Sequence, residues 1–505
     1  MEPGRFWRNC FMPRAVPWAW IVPILAALLT LALPRHSRGE ERTLSAEGRQ
    51  ALAGLSPEEA RALALGRARV NLGTRAEPAL ANLAELKILK PGHEILEAIA
   101  RGVLPVRVQD RAQGGGAAGG GESVVVTVQA AYDPGALGPM VRRILVDPAL
   151  LYLFRNASNE LRARLSAPPS RKSSLAVAAL HEYLNGLALW LSGSGGALVS
   201  AAAAFSKAVA IAPDFAPAWS ARGTVRMAMY QPDEGLADLA KAVTLDPKSP
   251  ALLRARAAGY AAWMRYDQAE PDVDEVLRRD PGDAAAHNLH GELVAAFKRP
   301  DVALEEFEKA LRLMPTYAAA HHNRGTILAR LERSAPALRE FDQALRLDPS
   351  LAVTLNNRGN LYARLQSYEK ALKDFDEAIR LDPRFAAALN NRGEVYRAMG
   401  QGERAIQDFD EAIRLRPSYA NAYVNRAAAL DRQGKVDPAF KDLEYAAQLT
   451  PDSPYLFASR GTAYARLSLP AKACQDWRKA CTLGAQSVCG FLQAQEVCGT
   501  QAWDH

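Results

Sequence analysis

The residues whose types and spacing bear on chemistry in this 505-residue chain fall into a few sets. His287 and His321 stand 34 residues apart, and His290 lies one helical turn after the first; three imidazoles can bind zinc. Trp219 occupies the same register two periods earlier, which marks the place as one for a large packing residue, so a core role is expected for these histidines and no metal. HEYLN at 181–185 lacks the second histidine of a zincin, and GGGAAGGG at 114–121 lacks the Gly-Lys-Ser/Thr ending of a phosphate loop. No G-x-S-x-G, dinucleotide fingerprint or Cys/His pair in a catalytic setting is present. The expectation is therefore a chain without catalytic residues, cofactor or small-molecule substrate.

A second set points to binding. Asn323, Asn357, Asn391 and Asn425 recur every 34 residues. Seven residues further along the same helical stripe stand Arg330, Arg364, Ala398 and Arg432, and the next period has Arg466. A row of amides can meet the backbone of an extended peptide, while guanidinium groups favour carboxylates, so the expected ligand is an extended, acidic protein segment. The competing reading is that these side chains satisfy neighbouring helices or are simply solvated.

The elements that must carry these rows are repeated. Pro213, Pro247, Pro281, Pro315, Pro349, Pro383, Pro417 and Pro451 are spaced by 34 residues. Small residues precede each Pro after the first by 24 positions: Gly223, Ala257, Gly291, Gly325, Gly359, Gly393 and Ala427, with Gly461 continuing the series. Twelve residues after each is Gly or Ala, and sixteen after come Leu239, Val273, Phe307, Phe341, Phe375, Phe409, Leu443 and Trp477. This is the pattern of two antiparallel helices per unit, meeting at the small residues around a bulky plug, with Pro closing the second helix. The run ALNNRGEVYRAMGQGERAIQDFDEAIRLRP, with Gly393, Tyr396, Ala405, Phe409, Ala412 and Pro417, resembles the tetratricopeptide repeat over about 175–485. That resemblance implies a right-handed α-solenoid of about nine helix-turn-helix units whose stacking closes one core and leaves a concave binding face. A similar asparagine ladder holds peptide backbone in the tetratricopeptide domain of O-GlcNAc transferases. The two-carboxylate clamp of chaperone-binding relatives is not expected, because only Arg254 is basic among Ser220, Arg254, Asn288, His322, Asn356 and Asn390. The first unit has about three extra residues, and the third carries Pro271 inside its second helix, so its packing is in question.

Cys474, Cys481, Cys489 and Cys498 fall within the last 32 residues. A hairpin turning near residue 485 permits the nested bridges 481–489 and 474–498, with four buried thiols or a four-cysteine zinc site as rivals. The gap between Cys481 and Cys489 is similar to that in Sel1-like repeats, whose hairpins are stapled by disulfides.

Arg5, Arg8 and Arg14 precede an uncharged run, Ala15–Pro34, about long enough to span a bilayer. A retained anchor with the bulk of the chain extracytoplasmic is expected, and a cleaved signal is the alternative. The domain reading is an anchor or signal at 1–40, a small α+β module of α-β-β-α order at 41–165, a linker at 166–174, the repeat array at 175–485 and a capping helix at 486–505. The 62 Lys and Arg against 55 Asp and Glu form no basic run, which argues against nucleic acid. The whole reads as a mostly α, non-enzymatic protein-interaction scaffold. Its alternatives are a substrate-recruiting subunit with its active part in 41–165, and a self-associating envelope protein.

Overall fold

The computed structural model describes residues 42–498 except 52–54, 82, 84–90, 92, 105–106, 114–122, 133, 193–195, 298, 467–468 and 496–497. The apolar run Ala15–Pro34 and the Gly-rich stretch 114–121 lie outside the described residues. Among the described residues no helix is long and apolar enough to cross a membrane. The chain forms two compact units, Met1–Leu351 and Ala352–His505.

The first unit opens with β1 (Arg42–Ala51), α1 (Pro57–Ala81), α2 (His93–Val103), β2 (Arg107–Gln113), β3 (Ser123–Tyr132), α3 (Pro134–Leu145) and α4 (Pro148–Ser166). The three strands form an antiparallel sheet in the order β1-β3-β2, with Arg42 opposite Tyr132 and Arg107 opposite Gln129. The β2–β3 pair is the hairpin expected from the two β-rich runs. Strand β1 and the separate helix α2 are not in the expected α-β-β-α order. In β1 the inward positions are Ala46, Gly48 and Gln50, so burial alternates with a period of two but hydrophobicity does not. Gly48 has a reason of its own: a Cβ there would lie 1.9 Å from the Ala64 carbonyl oxygen, so strand and helix backbones touch. Helix α1 starts with a reciprocal cap, Glu59 N–H donating to Ser56 Oγ at 3.2 Å and Ser56 N–H to Glu59 Oε2 at 2.8 Å.

The anticipated linker is short. Helix α4 ends at Ser166, α5 (Arg171–Ser192) begins a few residues later, and Ser173 and Ser174 are already buried. One apolar core runs from Ala46 in β1 through Phe154 in α4 to Tyr183 and Phe205 in the first hairpin. The junction also buries Arg69, which donates to the Arg101 carbonyl at 2.9 Å and to Asn185 Oδ1. Burial pushes its guanidinium down to about 10, with the charge of Glu182 acting partly the other way.

Helical hairpins follow. In the first unit α5 pairs with α6 (Ala197–Ile211), α7 (Ala216–Ala228) with α8 (Pro232–Leu245), and α9 (Pro250–Ala262) with α10 (Tyr266–Arg279). Helix α11 (Ala284–Ala296) pairs with α12 (Pro300–Leu313), and α13 (Ala318–Arg330) with α14 (Ser334–Leu347). The second unit has α15 (Ala352–Arg364) with α16 (Tyr368–Leu381), α17 (Ala386–Ala398) with α18 (Gly402–Leu415), α19 (Ala420–Arg432) with α20 (Val436–Leu449), and α21 (Pro454–Arg466) with α22 (Pro470–Thr482). Helix α23 (Gln486–Gln495) closes it. These nine hairpins, counted among the described residues, match the expected number of units, and α10 continues through Pro271.

Inside each hairpin the small site and the plug are matched in size. A Cβ on Gly393 would stand 2.7 Å from the Phe409 ring, and Gly291, Gly325, Gly359 and Gly461 are likewise capped by Phe307, Phe341, Phe375 and Trp477. Where the site is Ala257 or Ala427, the plug shrinks to Val273 or Leu443, each almost fully buried. The match is not strict, since Gly223 faces Leu239, but in the third unit Ala257 and Val273 are both almost fully buried, so that hairpin packs closely despite its substitutions.

Candidate functional site

The asparagine row does not hang in open solvent. Asn391 Nδ2 donates to Asn356 Oδ1 at 2.8 Å and Asn425 Nδ2 to Asn390 Oδ1 at 3.0 Å, each reaching back to the previous hairpin. In the first unit Asn323 Nδ2 donates to Asn288 Oδ1 at 3.0 Å and to Glu292 Oε1 at 2.7 Å. Asn323, Asn391 and Asn425 are buried, while Asn357 is half-buried with its Oδ1 3.4 Å from Asn356 Nδ2. A stripe about 200° from the glycine face points at the seam between successive first helices. There an amide is close enough to join them, which is why these donors meet neighbouring helices.

The arginine row is mixed. Arg330 is exposed and Arg364 half-buried. Arg432 is exposed and donates to the Arg397 carbonyl at 3.4 Å, and Arg466 pairs with Asp431 one hairpin earlier. Arg432 and Arg466 thus have part of their hydrogen-bonding capacity already turned to the preceding repeat.

A stronger periodic feature escaped the sequence reading. The residue before each small site is Arg222, Arg256, His290, Arg324, Arg358, Arg392, Arg426 or Arg460, and fifteen residues after the small site stands Asp238, Asp272, Glu306, Glu340, Asp374, Asp408, Asp442 or Asp476. Six of these pairs are two-pronged, Arg Nε and Nη2 on both carboxylate oxygens at 2.6–2.9 Å, and they tie the two helices of one hairpin together. The signal was a basic residue and an acid at a 34-residue period, sixteen residues apart.

The histidines belong to this clamp. His287 Nδ1 lies 2.7 Å and His290 Nδ1 3.4 Å from Glu306 Oε2, whereas His321 Nδ1 lies 2.8 Å from Glu340 Oε2. His287 and His321 are buried, and their Nε2 atoms sit 3.0 and 3.1 Å from the Pro281 and Pro315 carbonyls. Trp219 Nε1 makes the equivalent bond to Pro213 at 2.9 Å, so the three share one structural place. His287 and His290 meet at Glu306 while His321 turns to Glu340, so the three imidazoles do not share one site, and no group of three or more side chains placed to hold a metal ion occurs among the described residues. Burial pushes Glu340 upward, but hydrogen bonds from His321 and Arg324 hold it below the ordinary carboxylate range.

The cysteines form the nested bridges Cys474–Cys498 and Cys481–Cys489 across α22 and α23. Trp477 packs edge-on to Phe491 beside them, at 5.4 Å between ring centroids.

The first unit also holds a cavity of about 740 Å³ between α4 and the first helices of its hairpins. Its walls are mostly apolar, including Leu153, Tyr183, Trp190, Phe215 and Leu289. The α3–α4 corner closes one end: Val146 packs on Ala318 and Leu347, and Asp147 caps α4 by accepting from Ala149 N–H at 2.8 Å and Leu150 N–H at 3.1 Å.

These stacked, clamped helical hairpins define a repeat protein of the α-solenoid class. Family models for tetratricopeptide repeats match residues 264–318, 299–352, 359–400 and 393–434. Residues 264–352 and 359–434 are thus tetratricopeptide repeats. Among solved structures, the Cut9–Hcn1 hetero-tetramer of the APC/C is similar at 15% identity over 71% of this chain and 72% of that one, with a TM-score of 0.53. A tetratricopeptide repeat protein of Parabacteroides merdae matches at 21% identity over 48% of this chain and 97% of its own, with a TM-score of 0.41. PilW, a type IV pilus biogenesis factor, matches at 23% over 41% and 96%, with a TM-score of 0.38. No curated protein matches the sequence. Repeats of this kind make the chain a protein-interaction scaffold.

Proposed function

We propose that the protein is a non-enzymatic scaffold, held at a membrane through Ala15–Pro34 with its repeats on the extracytoplasmic side, that captures an extended acidic segment of a partner protein. The observation that carries the acidic preference is the arginine row: Arg330 in the first unit, and Arg364, Arg432 and Arg466 in the second, on the helical stripe that also bears Asn323, Asn357, Asn391 and Asn425. Their guanidinium groups suit carboxylates, and the asparagines supply acceptor oxygens for backbone N–H groups where their own N–H groups bond the previous hairpin. Two disulfides in the cap are supporting evidence for an oxidising compartment beyond the membrane.

The test pairs affinity capture from envelope extract with charge reversal. Wild type is compared with Arg364→Glu/Arg432→Glu, and the captured partner is tiled as peptides. The reading expects one acidic peptide, bound more weakly as salt rises and lost in the variant. Retention of the same peptide by the variant would refute the arginine face. N-terminal sequencing of the mature protein then separates a retained anchor from a cleaved signal.

A further inference from the structure

The cavity of the first unit contains a carboxyl group that the fold does not complete. Glu292 lines it, and its Oε1 accepts from Asn288 and Asn323, whereas its Oε2 is buried and has no hydrogen-bond partner among the described residues. A buried acceptor left without a donor is costly, and native proteins retain such groups where a ligand or water completes them. Around it lie Asp147 and Tyr317, with Arg254 as the cation in the wall. That cation is taken: Arg254 pairs with Asp283, and Arg143 faces Asp147 and Asp348 from the α3–α4 corner. Four acids thus face two arginines, and the shortfall of positive charge is on the cavity side. The remaining walls are mostly aliphatic and aromatic, with Glu160 and Asp246 as further acids and Asn156, Asn159, Ser220, Thr224 and Ser249 as neutral polar members, and a volume within about 300–1,000 Å³ suits one small molecule rather than a folded partner.

We infer that this cavity binds a small apolar molecule ending in a cationic amine, its hydrocarbon body between α4 and the hairpin helices and its ammonium donating to Glu292 Oε2. Tyr317 and the other aromatic walls add favourable faces for the cation. The electrostatics agree. Burial raises Glu292 well above the carboxylate range despite the two asparagine bonds, and Asp147 is raised by burial as well, against its backbone bonds and the two arginines. An arriving ammonium favours the ionised form of Glu292, so binding is linked to proton release over the pH range in which the free carboxyl is still protonated. Asn323 borders both this cavity and the peptide-binding face proposed above, but none of Arg330, Arg364, Arg432 and Arg466 lines the cavity, so the amine titration and the arginine charge reversal can fail independently.

Octylammonium, octanol and octanoate share one apolar body and differ at the head, so they test the idea on the full chain by titration calorimetry. Octylammonium should bind at least about tenfold more tightly than octanol, a difference of about 1.4 kcal/mol, and octanoate more weakly than either. Repeating the titration in buffers of different ionisation enthalpy should reveal proton release with the amine alone. Glu292→Gln should abolish the preference for amine over octanol while octanol binding persists. Equal affinity for amine and alcohol, an absence of proton release at every pH from about 4 to 8, or no binding of any of the three by wild type would each overturn the proposal. The proton count needs no variant, so it decides the matter even if Glu292→Gln fails to fold.

Discussion

Asn391 gives its side-chain N–H to Asn356, thirty-five residues earlier, at 2.8 Å, and both amides are buried. The asparagine at this place is therefore part of the joint between hairpins. Asn391→Ala should lower stability by about 1 kcal/mol, the net worth of one such bond, plus a further penalty if Asn356 is left unsatisfied. Chemical denaturation of wild type and variant checks this. An unchanged unfolding midpoint would mean that the bond is not maintained in solution.

The clamp inside a hairpin should matter more. Arg392 bonds Asp408 at 2.7 and 2.9 Å, and the carboxylate side chain is only 9% exposed. Arg392→Met strands that acid in a partly desolvated place and should cost about 2–4 kcal/mol, whereas Arg392→Met/Asp408→Leu should recover much of the loss. Arg414–Glu411 lies on the open surface and gives the control: Arg414→Met should leave stability nearly unchanged. Thermal and urea unfolding of the variants would rank them, and equal losses for Arg392 and Arg414 would remove the clamp's special status.

The contrast explains what could be read from the sequence. The hairpins, their number and the bridged cap were legible because 34-residue periodicity in Gly, Ala, Phe and Pro reports helix-to-helix packing directly. The same period is present in Arg392 and Asp408, but charged positions pass as solvated faces unless the acid sixteen residues on is sought. Direction was harder still. The period of Asn391 identifies a stripe, yet a stripe near the seam faces both the groove and the neighbouring helix, and the choice depends on a separation between hairpins that no single repeat encodes. Strand β1 left no pattern because its buried side is Ala46, Gly48 and Gln50. The cavity arises where α4 lies over the hairpins, a tertiary placement with no periodic trace.

At the turn between the two helices of a hairpin, one residue takes a left-handed conformation. Gly400 and Gly434 do so at φ of 80° and 77°, but the same register is Tyr230, Met264, Glu332 and Gln366 elsewhere, at 57–61°. A side chain there costs about 1 kcal/mol relative to glycine. Gln366→Gly should thus stabilise its hairpin by up to about 1 kcal/mol, offset in part by the greater freedom of glycine in the unfolded chain. A rise in the unfolding midpoint would support the strain, and a fall would show that the Gln366 side chain contributes more than the backbone loses.

His322 links stability to pH. It is buried against Phe341, with ring centroids 6.0 Å apart, and burial pushes its imidazole down to about 4. The unfolded chain takes up a proton near pH 6.5, whereas the folded chain resists until about pH 4. Well above pH 6.5 both states are neutral and His322 contributes no dependence. As pH falls from 7 to 5 the unfolded state gains protons that the folded state does not, so stability declines, by about 2 kcal/mol from this residue. Asn288, Asn356 and Asn390 occupy the equivalent register, so His322→Asn substitutes a side chain the array already tolerates. Urea unfolding at pH 7 and pH 5 should show the wild type losing about 2 kcal/mol more than His322→Asn over that interval. Parallel losses in the two proteins would place the imidazole in contact with water in the folded state.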